Sequence, residues 1–151
     1  MNELKITIDK YALERYEHYY FSLHPRARNK PIKQPRHESI NQWMILKRPA
    51  MNALKQRWKD FIVWLANDSG IAGLDISKCE ITHVVYFSTN QRHDPDNTVP
   101  KFILDGLVES GVIVDDDSKH ITKLVLQCGV DKENPRTEII INIADEKKEK
   151  S

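Results

Sequence analysis

The chain is poor in cysteine. Its only two, Cys79 and Cys128, form no C-x-x-C pair and cannot build a zinc site between them. They read as reduced, buried thiols of a cytosolic protein. Long apolar runs are also missing. None approaches the roughly 20 residues that span a bilayer, so no membrane partner is expected. The opening residues, Met-Asn-Glu-Leu-Lys, lack the apolar core of a secretory signal. No G-x-x-x-x-G-K-[ST] phosphate loop occurs, which argues against a nucleotide hydrolase of that class and against a nucleotide cofactor. No G-x-S-x-G elbow occurs either, and there is no internal repeat or low-complexity tract.

What is present fits one soluble globular domain. The 151 residues are 40% hydrophobic and 30% charged, enough for a substantial core. Residues 145–151 form a charged tail beyond a domain of residues 1–144. The net charge of +1 conceals an asymmetry. Residues 26–59 hold ten Lys or Arg and one acid, Glu38, whereas residues 78–151 hold ten bases and fourteen acids. A nucleic-acid enzyme needs cations for phosphates and carboxylates for a metal. Two ordinary solvated surfaces would look the same.

The patterning predicts strands and helices in turn. Residues 4–8 alternate as a half-buried strand. Residues 11–23 carry Tyr11, Tyr16, Tyr19, Tyr20 and Phe21, compatible with a helix or an extended segment. Residues 24–37, H-P-R-A-R-N-K-P-I-K-Q-P-R-H, contain three prolines and read as a loop. Its Arg26, Arg28, Lys30, Lys33 and Arg36 are candidate DNA-phosphate contacts, or plain surface charge. Residues 38–48 suit a strand or a helix start, and Pro49 breaks the pattern. Residues 51–65 place Met51, Leu54, Trp58, Phe61, Ile62 and Leu65 at helical spacing, an aromatic stripe expected in the core. Residues 78–89 read as a central strand, with His83 a packed core histidine. Residues 99–110 read as a helix capped by Asn97 or Thr98 and ended by Gly111. Residues 121–130 and 138–143 read as strands joined by a turn, hence a C-terminal hairpin.

The chain centres on residues 92–117, R-H-D-P-D-N-T-V-P-K-F-I-L-D-G-L-V-E-S-G-V-I-V-D-D-D. Carboxylates gathered in one place repel each other unless a cation sits among them, and Mg²⁺ prefers such oxygens. Asp94 and Asp96 are two apart, and so point the same way if the backbone is extended. Asp116 or a neighbour could be brought back to close the site. Lys101 and Asp105, four apart, share a helix face. Lys101 could meet a scissile phosphate or simply pair with Asp105. An EF-hand loop is excluded, because its sixth position would be Val99 rather than glycine.

The assembly D-x-D-N, K, D four later, G, then D-D resembles the RusA family of Holliday-junction resolvases. The resemblance is sharpest over residues 94–116 and looser over the whole chain. It implies an α+β fold, a mixed sheet with helices in the order β-α-β-α-β-β. It implies that Asp94, Asp96 and Asp116 bind metal in catalysis and that Lys101 is the catalytic lysine. Asn97, Asp105 and Asp115 match accompanying positions. The Asp96–Lys101 spacing is one residue longer than the family pattern, with Pro100 as the extra residue. The resemblance further implies a bacterial or phage-encoded cytoplasmic enzyme acting at the nucleoid. Its cofactor would be Mg²⁺, with Mn²⁺ as substitute, its partner branched DNA, and its state a homodimer that gathers the basic segments on one face. The expected activity is paired nicking of four-way junctions. A metal nuclease for flaps, duplex or RNA, and a non-catalytic DNA-binding phage protein, are the alternatives.

Overall fold

The computed structural model describes residues 2–32 and 44–144, with the side chains of Asp96 and Asn97 outside that description. Lys33, Arg36 and the 145–151 tail therefore lie outside the described residues, as does most of the segment expected to be a strand or a helix start. The remainder is an α+β domain: β1 (Glu3–Ile8), α1 (Lys10–Leu23), α2 (Arg48–Asp68), β2 (Cys79–Phe87), a short 3-10 turn (Pro95–Thr98), α3 (Lys101–Glu109), β3 (Ile121–Val130) and β4 (Arg136–Ile143). This matches the expected β-α-β-α-β-β, with two helices, α1 and α2, filling its first helical position.

Local chemistry explains the helix limits. The aromatic segment, open between two readings, is helical. The side chain of Asp9 accepts from the backbone N–H groups of Tyr11 and Ala12 at 3.1 and 3.0 Å, satisfying donors the helix itself leaves unpaired. Pro49 opens α2 rather than merely breaking what precedes it, because a first-turn proline loses no helical hydrogen bond. The expected side-chain cap of α3 is absent. Pro100 occupies the cap position without a side-chain bond, and the Thr98 hydroxyl instead donates to the Pro95 carbonyl at 2.7 Å, within the 3-10 turn. Gly111, at φ +75°, follows the last turn of α3 as expected.

The sheet corrects one expectation. Its order is β1-β4-β2-β3, so β3 and β4 are not hairpin partners. β2 lies between them, parallel to β3 and antiparallel to β4. The cause is burial: Cys79, Ile81, His83, Val84 and Val85 of β2 are all buried, and a strand so enclosed must satisfy backbone groups on both edges. The D-K-E-N-P segment steps over the end of β2, and Asp131 N–H bonds the Phe87 carbonyl at 2.9 Å. Five residues reach roughly 16 Å, ample for two strand spacings of about 4.8 Å. Arg136 pins the crossing, donating to Asp131 at 2.6 Å and Glu138 at 2.8 Å while lying 4.2 Å from the Tyr86 ring. Burial opposes the charge on Glu138, but Arg136 and Lys5 outweigh it and hold its pKa below the usual value.

The three helices share one core with a single sheet face. Ile6, Ile81, Ile139 and Ile141 meet Trp58, Phe61, Ile62, Phe102, Ile103 and Leu107. Trp58 and Phe61 are core, as their spacing implied, and His83 is buried in β2. Helices α2 and α3 touch at Gly106. A Cβ added there would stand 2.5 Å from the Ile62 Cβ. This close approach lets Lys55 reach Asp105 at 3.9 Å and Lys59 reach Glu109 at 3.5 Å. Gly106→Ala should therefore lower stability by about 1–3 kcal/mol through overpacking, outweighing the roughly 1 kcal/mol that alanine gains in helix propensity. Thermal unfolding checks it, and an unchanged or raised melting temperature would contradict the close contact.

Candidate functional site

β2 carries the chain to Phe87, on whose ring the His93 imidazole stacks at 3.4 Å with the planes 3° apart. Asp94 follows in extended conformation, with φ −96° and ψ 121°. Arg92 Nε lies 3.4 Å from its Oδ1, an exposed pair of little energetic weight. The backbone does not stay extended to Asp96 as expected. Pro95 starts the 3-10 turn, so the i, i+2 alternation of a strand no longer governs that pair. The turn lies against β3. Burial pushes the Cys128 thiol pKa up, Thr98 opposes this through a hydrogen bond, and the charge of Asp94 adds to the rise.

Lys101 stands exposed in the first turn of α3. The positive end of the helix dipole makes this a poor place for a cation, so α3 itself does not favour the charge there. Asp105 is one turn on. Its ionic partner is Lys55 of α2, and its buried Oδ2 has no hydrogen-bond partner among the described residues.

The chain returns after Gly111, held by a parallel bridge between Ile76 and Ile113, and delivers the three aspartates. Asp115 Oδ1 accepts from the Asp116 N–H at 2.8 Å. Asp116 comes close enough to Asp105, eleven residues earlier, to feel its charge. The Asp116 carboxyl has a pKa above the usual value, first through partial burial, then through the negative charge of Asp105 and the contact with Asp115. Asp105, Asp115 and Asp116 line one cavity of about 320 Å³ together with Lys55, Lys59, Val108 and Glu109.

Asp117 faces other partners. Its Oδ1 accepts from Lys119 N–H at 3.1 Å, from His120 N–H at 3.2 Å and lies 2.6 Å from His120 Nδ1. The His120 hydrogen bond holds the Asp117 carboxyl below the usual range. Among the described residues, one group of three ligand-type side chains has its atoms within 4.8 Å of one another: Asp115, Asp117 and His120. Sequence reasoning left Asp117 undecided and overlooked His120. The D-x-x-H spacing before a strand was the available signal.

The candidate residues thus divide. Asp105, Asp115 and Asp116 share a cavity, and Asp94 borders Cys128 at the 3-10 turn. The side chains of Asp96 and Asn97 are not described. Of the basic loop, Arg26, Arg28 and Lys30 are exposed, with Lys30 Nζ 3.7 Å from Glu17. The residues suit a hard cation. A buried carboxylate oxygen without a hydrogen bond and an aspartate whose charge is disfavoured by two others are the groups a divalent ion would relieve. No protein-family model matches the chain, and no curated protein matches it.

The raised pKa of Asp116 gives a pH prediction. Folding disfavours its charged form, so its contribution to stability is complete below the unfolded pKa and is lost as pH rises through the folded one. Without metal, wild type should therefore lose stability relative to Asp116→Asn across the mildly acidic range. Mg²⁺ should shrink the difference above it. Denaturant titrations of both proteins at several pH values measure this, and parallel profiles would refute the crowding of carboxylates.

Proposed function

We propose that the chain is a Mg²⁺-dependent endonuclease that nicks branched DNA, four-way junctions above all, as a homodimer. The observation that carries the reading is the meeting of Asp105, Asp115 and Asp116 in one cavity with Lys55 and Lys59. Asp116 of this group is also one of the metal ligands that the resemblance to the RusA resolvases implies. The resemblance would give the ion to Asp94, Asp96 and Asp116; of these, Asp116 lies in the cavity with Asp105 and Asp115, and Asp94 lies at the 3-10 turn. A bound Mg²⁺ supplies charge that lowers the pKa of a water and offsets the negative charge of a phosphoryl group. The chain's own residues position the strand and balance charge. Lys101 stabilises the negative charge that builds on the phosphate. Lys55 holds the Asp105 carboxylate in place, while Arg26, Arg28 and Lys30 attract neighbouring phosphates.

The test is a labelled synthetic four-way junction beside a linear duplex of the same arms, each with Mg²⁺ or EDTA. Paired symmetric nicks on the junction alone, lost in EDTA, are expected. Asp96→Asn and Asp116→Asn should each abolish cleavage and leave junction binding equal or tighter, because repulsion of the phosphates falls. Equal cutting of both substrates would reduce the reading to a metal nuclease of looser specificity. Cutting by both variants at the wild-type rate would remove the metal site assignment.

The dimer has a candidate surface. β3 is the last strand of the sheet, and its Leu124 and Val130 are 40% and 44% exposed. An edge strand with exposed apolar side chains can pair with another strand. Sedimentation should give a dimer for wild type and a monomer for Leu124→Lys, since a second lysine beside Lys123 replaces an exposed apolar contact by a charge. A monomeric wild type would remove the dimer from this reading.

A further inference from the structure

A larger cleft lies between α1 and α2. Its cavity is about 650 Å³ and is lined by Tyr16, Tyr19, Trp64, Asp60, Asp68 and Glu109, among others. That is within the size range of small-molecule sites, roughly 300–1,000 Å³. A second cavity of about 270 Å³ shares Tyr16, Tyr20 and Asp60 with it, and is lined also by Arg28, Lys30 and Arg57. One end of the cleft is therefore aromatic and acidic, and the other is basic.

The aromatic end has more ring surface than the core uses. Tyr16 is buried, but Tyr19 is 44% exposed and Trp64 only half-buried. The Tyr19 ring lies 6.3 Å from Tyr16 at 26° and 6.0 Å from Trp64 at 34°. Tyr16 and Trp64 lie 5.3 Å apart at 48°, so the three rings form a tilted cluster with one member open to solvent. Burial first, and the charge of Asp60 second, raise the Tyr16 phenol to about 12; like any tyrosine it is a hydrogen-bond donor at neutral pH. Asp60, Asp68 and Glu109 supply acceptors. Each already has a partner (Gln56, Arg15 and Lys59 respectively), at 2.8 to 3.5 Å. A carboxylate has about four lone-pair sites, so capacity is left.

These features select a ligand. A purely apolar molecule would strand three carboxylates. A bare anion would be repelled by them. A cationic peptide would suit the rings and acids but would meet Arg28, Lys30 and Arg57 alongside. A flat ring with N–H donors, joined to an anion, satisfies both ends. We propose that this cleft holds one unpaired nucleotide of a DNA strand, its base against Tyr19 and Trp64 and its phosphate against Arg28, Lys30 and Arg57. Carboxylates accept from exocyclic base amines, and aromatic faces stack on any base. Glu109 also borders the acidic cavity, so the two sites are neighbours on one surface. The inference rests on the nucleic-acid part of the proposed function, and it requires no metal.

The test is binding of the full chain, in EDTA, to a fluorescein-labelled single strand of about 15 nucleotides and to its blunt duplex, followed by anisotropy. The single strand should bind more tightly. Tyr19→Ala should weaken single-strand binding on the order of ten-fold, Tyr19→Phe should retain it, and duplex binding should be unaffected by either. Arg57→Ala should lower the salt dependence by roughly 0.7 in slope, the loss of one single-strand phosphate contact. Single-strand binding indifferent to Tyr19→Ala would overturn the proposal. So would a Gly-Arg peptide that binds through Tyr19 when the oligonucleotide does not. Failure of junction cleavage with Tyr19-dependent strand binding intact would sink the metal nuclease alone.

Discussion

The position of β2 governs the molecule. A strand with five consecutive or near-consecutive buried residues must be flanked on both sides, and its neighbours here run in opposite senses. Parallel pairing with β3 cannot be closed by a tight turn. It needs a crossover long enough to carry the chain back to the start of the sheet. That crossover is the 3-10 turn, α3 and the acidic loop. The segment richest in chemistry is thus the connection that the sheet topology requires.

Helix packing then sets the electrostatics. Because residue 106 is glycine, α2 and α3 approach until Ile62 covers the helix backbone. At that separation two lysines of α2 reach two acids of α3. The acidic cavity consequently has a cationic wall. Repulsion among Asp105, Asp115 and Asp116 is partly offset there, yet Asp116 still carries a raised pKa. Beside this cavity, sharing Glu109, the aromatic residues that complete the core overflow into the cleft between α1 and α2.

Much of this was legible in the chain. Alternation marked β1, β3 and β4, β-branched and aromatic residues marked β2, and the i, i+3, i+4 spacing marked α2 and the core roles of Trp58 and Phe61. Asp94, Lys101, Asp105 and Asp116 stood out by residue type and spacing. The hairpin failed because adjacency in sequence says nothing about a third strand that arrives earlier and needs two partners. The Asp94–Asp96 alternation failed because Pro95 fits the first position of a 3-10 turn as readily as a strand end. His120 escaped notice because its partner is fixed by a turn, and turns leave only a weak periodic signal.

The sequence by itself determined the element types other than α1, the buried stripe and the crowding of carboxylates over residues 94–117, since these follow from spacing and side-chain chemistry within a few turns. Only the tertiary structure decided which carboxylates meet. Lys55 rather than Lys101 pairs with Asp105, Asp116 reaches Asp105 across a helix and a loop, and Tyr19 joins Trp64 at the edge of the core. Each is a contact between elements distant in the chain. Their geometry depends on strand order and on one close helix approach, neither of which leaves a local pattern to read.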